Sequence, residues 1–240
     1  MNLLQAVQKA AINCDVIDKP SEITTTADQQ GDLYRIVDWC IDAWTELQSS
    51  KRTWRFMRSR FTINTVADTN EYAYGAFTDV LAGALISRFR NWFVDNPQNP
   101  PKAYRTSSGI GTQYYMRFQT WNDFQALYQM GNQNPGQPQI ITVDPQNNIV
   151  VWPVPNDDYT ITGDYHKSPQ VMVAGTDDET EFADMPAMFH AVVMYDTMRK
   201  YGTTEGAEEV ILRANTEGAA LKRDLDRDQL PRFQEGSPLA

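Results

Sequence analysis

The chain has 240 residues, of which 41% are hydrophobic, and this is enough for one large domain or two small ones. It carries 21 Lys and Arg against 31 Asp and Glu, for a formal net charge of −10. This acidic balance argues against broad non-specific binding to DNA, which needs a surplus of cations.

Apolar residues at helical spacing predict two helices at the start of the chain. The first covers residues 2–14. The second, in residues 27–58, is a long amphipathic helix that runs into an aromatic and basic corner, KRTWRFMRSR. Thr26 and Gln29 have the spacing of a capping box, so we expect them to cap the second helix.

The period changes to that of strands from Ser59 to about Val173. We expect a hairpin over residues 61–74 and a short helix that begins at Thr120. Residues 76–95 fit either a short helix or a loop that leads into a strand. Further strands are predicted at residues 112–118 and in a three-stranded meander at residues 139–143, 149–154 and 159–167.

Two more helices are predicted near the C-terminus. An acidic linker over residues 175–186 precedes a helix that we expect to stop at Gly202. Thr204 is predicted to open the last helix, whose small residues would let another helix approach closely. Pro231 ends it, and a polar tail follows.

These elements predict an α+β fold. Helices from both ends must pack together, because neither pair alone buries its apolar stripe. We therefore expect a four-helix domain with a β-rich insertion of meander or sandwich-like form. The predicted parts are a helical first part (1–58), the insertion (59–174), a helical second part (175–229) and a flexible tail (230–240).

The sequence contains no strong catalytic, metal or cofactor signature. The two histidines, His166 and His190, fit exposed strand-end or core-edge positions, and Cys14 and Cys40 fit buried thiols. The acidic run at 177–181 lacks the spacing of a calcium loop. No apolar run of about 20 residues predicts a membrane span, and no signal peptide is evident. We predict no enzyme, no cofactor and no metal.

The basic corner allows two interpretations. Aromatic and basic residues together can bind nucleic acid through stacking and phosphate contacts. Alternatively, the tryptophans pack into a helix–sheet junction and the arginines face acids of a neighbouring subunit. We favour the second interpretation, since the 27 aromatic residues of the chain suit protein contacts.

The segment LYRIVDWCIDAWTELQSSKRTWRFM carries a family resemblance. Ala43, Trp44, Glu46 and Leu47, followed by Trp54 and Phe56, resemble the helix and aromatic turn of head-to-tail adaptor proteins, also called neck or connector proteins, of tailed double-stranded DNA bacteriophages. The hairpin sequence that follows and the final pair of helices are similar too. The chain lacks the proline that usually follows the hairpin tyrosine, here Tyr74.

The resemblance implies a structural virion protein. Such adaptors form a ring, commonly a dodecamer, between the portal protein and the tail tube or nozzle protein, and in some members they contact tail fibres. Packaged DNA passes through without sequence-specific binding. Assembly would take place in the host cytoplasm, with the mature protein in the neck of the virion. The partner-binding residues that we predict on this basis are Leu230, Arg232, Phe233, Arg52, Trp54 and Arg55.

Two other functions remain open at this point. The chain could be a virion-associated enzyme that degrades peptidoglycan, acting through a pair of its 31 carboxylates. It could also be a glycan-binding tail module, in which helices carry a β-rich recognition domain.

Overall fold

A computed structural model describes residues 1–131 and 134–230 of the chain. The predicted α+β class is confirmed. The chain divides into two compact units. The helical unit comprises Met1–Met57 with the chain from Pro169 onward, and the β unit comprises Arg58–Ser168.

Helices dominate the first unit, and one short helix lies in the second. The α-helices are α1 (Leu3–Asn13), α2 (Gly31–Ser50), α3 (Trp121–Tyr128), α4 (Ala191–Glu205), α5 (Glu208–Arg213) and α6 (Ala219–Gln229). A π-helical segment, Ala214–Gly218, joins α5 to α6. Short 3₁₀ turns lie at Pro20–Glu22, Arg55–Met57, Tyr74–Ala76, Thr106–Ser108, Ile110–Thr112 and Ala187–Phe189.

The helical unit is held together by the apolar stripes of its helices. Trp44 on α2 is completely buried, and its ring lies 5.0 Å from that of Phe182. Other side chains fully or almost fully removed from water come from all the long helices: Leu3, Val7, Ile36, Leu47, Val193, Met198 and Leu225. Burial of each such side chain contributes roughly 1.5–3 kcal/mol to the free energy of unfolding. Because these side chains come from both ends of the chain, the core forms only when the N- and C-terminal helices pack together.

The predicted cap of α2 is wrong. The helix begins at Gly31, after Gln30, and no side chain caps it. Thr26 instead bonds to Asp178, and the Gln29 amide donates to the Thr25 carbonyl at 2.8 Å. The hydroxyls of both Thr25 and Thr26 donate to the Asp178 carboxylate, so this tertiary contact replaces the predicted cap.

The predicted boundary between the last two helices is also wrong, because Thr204, expected to open the last helix, lies within α4, and α5 begins at Glu208. Helix α4 continues through Gly202 to Glu205, and its C-cap, Gly206, takes the left-handed conformation (φ 69°) that glycine tolerates. Gly202 serves close packing, because a β-carbon there would lie 2.8 Å from Ile211. Gly218 approaches Tyr195 of α4 in the same way, at 2.7 Å. The predicted close approach of a helix to the small residues is therefore confirmed.

The β unit contains two sheets. The strands are β1 (Arg58–Asn64), β2 (Glu71–Tyr72), β3 (Thr78–Asp79), β4 (Ala84–Leu85), β5 (Asn91–Phe93), β6 (Lys102–Arg105), β7 (Tyr114–Tyr115), β8 (Arg117–Phe118), β9 (Ile140–Val143), β10 (Ile149–Trp152) and β11 (Tyr159–His166). The larger sheet has the order β4-β3-β1-β11-β6-β7, with β5 also paired to β11. The smaller sheet has the order β2-β10-β9-β8.

Two predicted strand pairings are wrong. β1 pairs with β11 and β3, whereas the Glu71–Tyr72 strand pairs with β10, so residues 61–74 form no hairpin. Likewise, β9 and β10 pair as predicted, but β11 belongs to the other sheet. Local alternation identified most of these strands, but it does not specify which distant strand completes each ladder.

Two further stretches, residues 112–118 and 76–95, each contain more than one strand. The first stretch divides into β7 and β8, which lie in different sheets, with Met116 buried between them. The second supplies β3, β4 and β5, which agrees with a loop leading into a strand at Asn91–Phe93. The predicted helix after Thr120 is present, and the Thr120 hydroxyl accepts the Asp123 amide.

Candidate functional site

The aromatic part of the corner lies inside the helical unit. Trp54 is 1% exposed, and its indole nitrogen donates to the Leu47 carbonyl at the end of α2 at 2.9 Å. Its ring stacks on that of Phe56 at 5.3 Å. Lys51 and Arg52, in contrast, are exposed. The corner is thus a packed aromatic base that carries cations on its outside.

The corner meets the end of the last helix. The Arg55 guanidinium lies 3.5 Å from the Asp228 carbonyl oxygen in the final turn of α6. Leu230 closes that turn, since its amide donates to the Asp226 carbonyl at 3.0 Å, and its partly buried side chain packs on the helical core. Cations are favoured at this negative end of a helix dipole. The structure therefore brings Arg55 and Leu230, two of the predicted partner-binding residues, to one surface.

The remaining predicted residues have different outcomes. Arg52 is exposed beside this surface in the chain, and Trp54 supports it from within. Arg232 and Phe233 lie outside the described residues. We call the surface formed by Arg52, Arg55 and Leu230 the docking corner. Its role in binding a partner stays a prediction.

Charge is divided unevenly between the two units. The helical unit holds 13 Lys and Arg against 22 Asp and Glu, whereas the β unit holds 8 against 9. Nearly all the negative excess thus lies on the helical unit. Asp38, Asp42 and Glu46 form an exposed acidic stripe along α2, and Lys200 reaches Glu46 at 2.8 Å. The docking corner accordingly presents two exposed arginines, Arg52 and Arg55, on a strongly acidic unit.

The acidic segment predicted as a linker over residues 175–186 is part of the helical fold. The Asp178 carboxylate accepts hydrogen bonds from the Thr25 hydroxyl at 2.7 Å, from the Thr26 amide at 3.1 Å and from the Thr26 hydroxyl. The Asp178 carbonyl also accepts the Leu4 amide at 3.1 Å. One residue therefore links the segment to the start of α1 and to the approach to α2. The run of four acids in the five residues 177–181 masked this contact in the sequence.

Hydrogen bonding keeps this carboxylate charged. Burial, the largest single influence, would raise the pKa of Asp178, but the hydroxyls of Thr26 and Thr25 and the amides of Thr26 and Gly175 act in the opposite direction. Together they lower its pKa below the usual value. The site is a charged anchor within the fold.

The two histidines are both buried. His190 is 3% exposed, with Nε2 2.9 Å from the Met185 carbonyl and Nδ1 2.9 Å from the amino group of Met1. Burial lowers the pKa of His190, so the imidazole is mostly neutral at neutral pH. His166 is 7% exposed and lies edge-on to the Phe93 ring. His190 matches the predicted core-edge position, whereas the exposed strand-end alternative is wrong for His166.

The cysteines are free and buried, as predicted. Burial raises the pKa of both Cys14 and Cys40 to about 12, so their thiols are protonated and unreactive at neutral pH. Within residues 1–131 and 134–230, no group of three His, Cys, Asp or Glu side chains could hold a metal ion.

A buried carboxylate in the β unit is also fully engaged. Asp79 accepts hydrogen bonds from the Ser59 hydroxyl at 2.8 Å, the Tyr165 hydroxyl at 2.7 Å and the Leu81 amide at 2.8 Å. This network ties β1, β3 and β11 together. It had no signal in the sequence, because its members come from separate strands.

Comparison with known proteins identifies a structural phage adaptor. The sequence matches the SU10 adaptor protein family over residues 1–239, and the chain belongs to that family. This is a structural family and not a family of enzymes. No protein of curated function matches the chain closely enough to count as a relative. None of the described helices is both long and apolar enough to span a membrane.

Proposed function

We propose that this protein is a head-to-tail adaptor, which forms a ring between the portal protein and the tail tube or nozzle of a tailed bacteriophage. The family match over residues 1–239 is the observation that carries this proposal. In this proposal identical copies, as a dodecamer, line the passage for DNA in the neck of the virion. They assemble in the host cytoplasm, and tail fibres can attach to them.

We propose different tasks for the two units. In our proposal residues 1–58 and 175–229 form the four-helix domain that scaffolds the ring, and residues 59–174 form an insertion that faces the tail. The division into a helical unit and a β unit supports this assignment, since each has its own core. Residues 230–240 are the segment that docks to the portal.

The charge distribution suits a passage for DNA. A helical unit with 22 acids against 13 bases repels phosphates, so a duplex that moves past it is not held. A cationic lining would bind DNA in a salt-dependent manner and slow its exit. The location of the acidic excess therefore supports placing the helical unit around the lumen.

Portal docking is assigned to the docking corner and the tail that follows it. Leu230 packs on the helical core, two residues after Asp228, whose carbonyl oxygen lies 3.5 Å from the Arg55 guanidinium, so the first residue of the tail has a fixed position. A partner that binds Arg232 and Phe233 would also reach Arg52 and Arg55. Charged groups at the rim of such an interface chiefly speed association and set orientation.

The test is co-sedimentation of the purified protein with portal rings of the same virus. Full-length protein should sediment with the rings in a fixed ratio. A variant without residues 231–240 should lose this binding but keep its melting temperature, because Leu230 stays in place to cover the core. Arg55→Gln should bind more weakly and with less dependence on salt than the full-length protein.

Arg90→Gln in the β unit is the matched control, since Arg90 is exposed and the change removes the same charge. It should bind like the unaltered protein. Failure of the full-length protein to sediment with portal rings would contradict the adaptor assignment. Normal binding by the truncated variant would instead contradict only the role of the tail.

A further inference from the structure

An open groove of about 570 Å³ crosses one side of the smaller sheet in the β unit. Arg117, Ile140 and Trp152 are paired across β8, β9 and β10, and therefore form a row on one face. Ile140 is 7% exposed and lies beneath the groove. The polar and aromatic neighbours of this row form its sides.

Aromatic rings form two of these sides. Tyr128, in the last turn of α3, lies 4.7 Å from Trp152, measured between ring centroids. Phe124 supports this pair from behind at 5.7 Å from Tyr128 and is 1% exposed. Tyr115 lines the groove as well and is 67% exposed. The Tyr128–Trp152 pair is thus fixed before any ligand arrives, which reduces the entropic cost of binding.

Neutral polar groups lie beside the rings. Gln139 is exposed, while its backbone is held on both sides: its amide donates to the Trp152 carbonyl at 2.9 Å, and its carbonyl accepts the Arg117 amide at 2.8 Å. Gln137 is also exposed, and its side chain reaches the Tyr114 hydroxyl. A glutamine amide both donates and accepts hydrogen bonds, as a sugar hydroxyl does.

We propose that this groove binds a neutral oligosaccharide of β-1,4-linked pyranose units. Such sugars carry their hydroxyls around the ring edge and expose C–H groups on both faces. The faces can therefore stack on Trp152 and Tyr115, while the edges bond to Gln139 and Arg117. The groove is open, which suits a chain that extends beyond the site at both ends.

The charge of the groove distinguishes this ligand from nucleic acid. Among the described residues that line it, Arg117 is the only cation, and the Lys102 ammonium lies nearby, 5.6 Å from the centroid of the Tyr115 ring. A single-stranded nucleic acid also stacks on aromatic rings, but its successive phosphates need a track of several cations. An uncharged sugar chain needs none.

The probe for this proposal is cellohexaose, and its binding to the full-length chain is measured by isothermal titration calorimetry. We expect a dissociation constant on the order of 0.1–1 mM, which corresponds to roughly −5 kcal/mol. Tyr115→Ala and Gln139→Ala should each weaken binding by about tenfold. Both side chains are exposed, so these variants should keep the melting temperature of the parent. Tyr34→Ala, which removes an exposed tyrosine from the helical unit, should bind normally.

Three outcomes would overturn the proposal. The first is no heat of binding at cellohexaose concentrations up to about 10 mM, tenfold above the upper limit of the expected dissociation constant. The second is equal affinity of Tyr115→Ala and the parent. The third is a loss of affinity in Tyr34→Ala as large as that in Tyr115→Ala. Binding by a portal or tail protein that Tyr115→Ala abolishes, without any binding of cellohexaose, would assign the groove to a protein partner instead. Portal docking is proposed at other residues, Arg52, Arg55 and Leu230, so the two proposals are tested separately.

Discussion

Replacing Asp178 with asparagine tests whether the acidic segment holds the helical unit together. The carboxylate accepts bonds from Thr25 and Thr26, and Thr26 is 2% exposed. Asparagine has nearly the same shape, but it has no charge, and one of its two terminal groups is a donor. That donor would face a hydroxyl or amide that now donates a hydrogen bond to Asp178.

The size of the effect follows from the number of bonds lost. Hydrogen bonds to a charged group contribute about 1.5–3 kcal/mol each, and neutral ones about 0.5–1.5 kcal/mol. Loss of the charge and of one acceptor in Asp178→Asn should therefore lower the free energy of unfolding of the helical unit by about 2 kcal/mol. At roughly 2–4 °C for each kcal/mol, the melting temperature should fall by about 6 °C.

The assay is thermal unfolding followed by circular dichroism in the helical band, as a function of pH. Because the folded state lowers the pKa of Asp178, its charged form stabilises the fold at all pH values above the ordinary aspartate pKa of about 4. That contribution is lost as the pH falls through the folded-state pKa. The difference between parent and variant should therefore be constant from neutral pH to about 4 and shrink below it.

Glu179→Gln is the control. It removes the same charge from the neighbouring residue, whose side chain is exposed. Its melting temperature should match that of the parent within about 2 °C, because surface substitutions of this kind stay within roughly 0.5 kcal/mol. Equal melting temperatures of Asp178→Asn and Glu179→Gln at neutral pH would refute the anchoring role of Asp178.

Two further predictions concern the packing of the helical unit. Gly218→Ala should lower the free energy of unfolding by about 1–3 kcal/mol, since its new β-carbon would lie 2.7 Å from Tyr195; Gly75→Ala, with open space around it, should be neutral, and equal denaturation midpoints of the two variants would contradict this packing. Cys14 and Cys40 should not react with a thiol reagent at pH 8 until denaturant is added, because burial raises the pKa of each to about 12; rapid labelling of native protein would show that the core opens there.

Local sequence pattern predicted the helices well. Leu3, Val7, Ile36, Cys40, Trp44 and Leu47 stand at helical spacing, and each is buried in the helical unit. The corner after α2 was also visible, because Trp54 and Phe56 alternate with arginines. These features depend on neighbours three or four residues away, which the sequence displays directly.

Strand pairing could not be read in the same way. The alternation of Phe61 and Ile63 indicates a strand, but its partner lies about a hundred residues later, at Ile161 and Gly163. The strand that contains Tyr72 follows β1 after a short polar turn, which suggested a hairpin, but this strand joins the other sheet. A polar turn favours a hairpin only when no distant strand competes for the same edge.

The candidate sites differ in the same respect. Composition and helical period alone determined the acidic character, the buried thiols and the amphipathic helices that carry the family resemblance, because each is a property of single residues or of one turn. Only the tertiary structure placed Arg55 beside Asp228, tied Asp178 to Thr26, and set Tyr128 against Trp152. The members of these pairs are separated by 24 to 173 residues, and chain folding, which depends on the burial of the whole core, decides which of them meet.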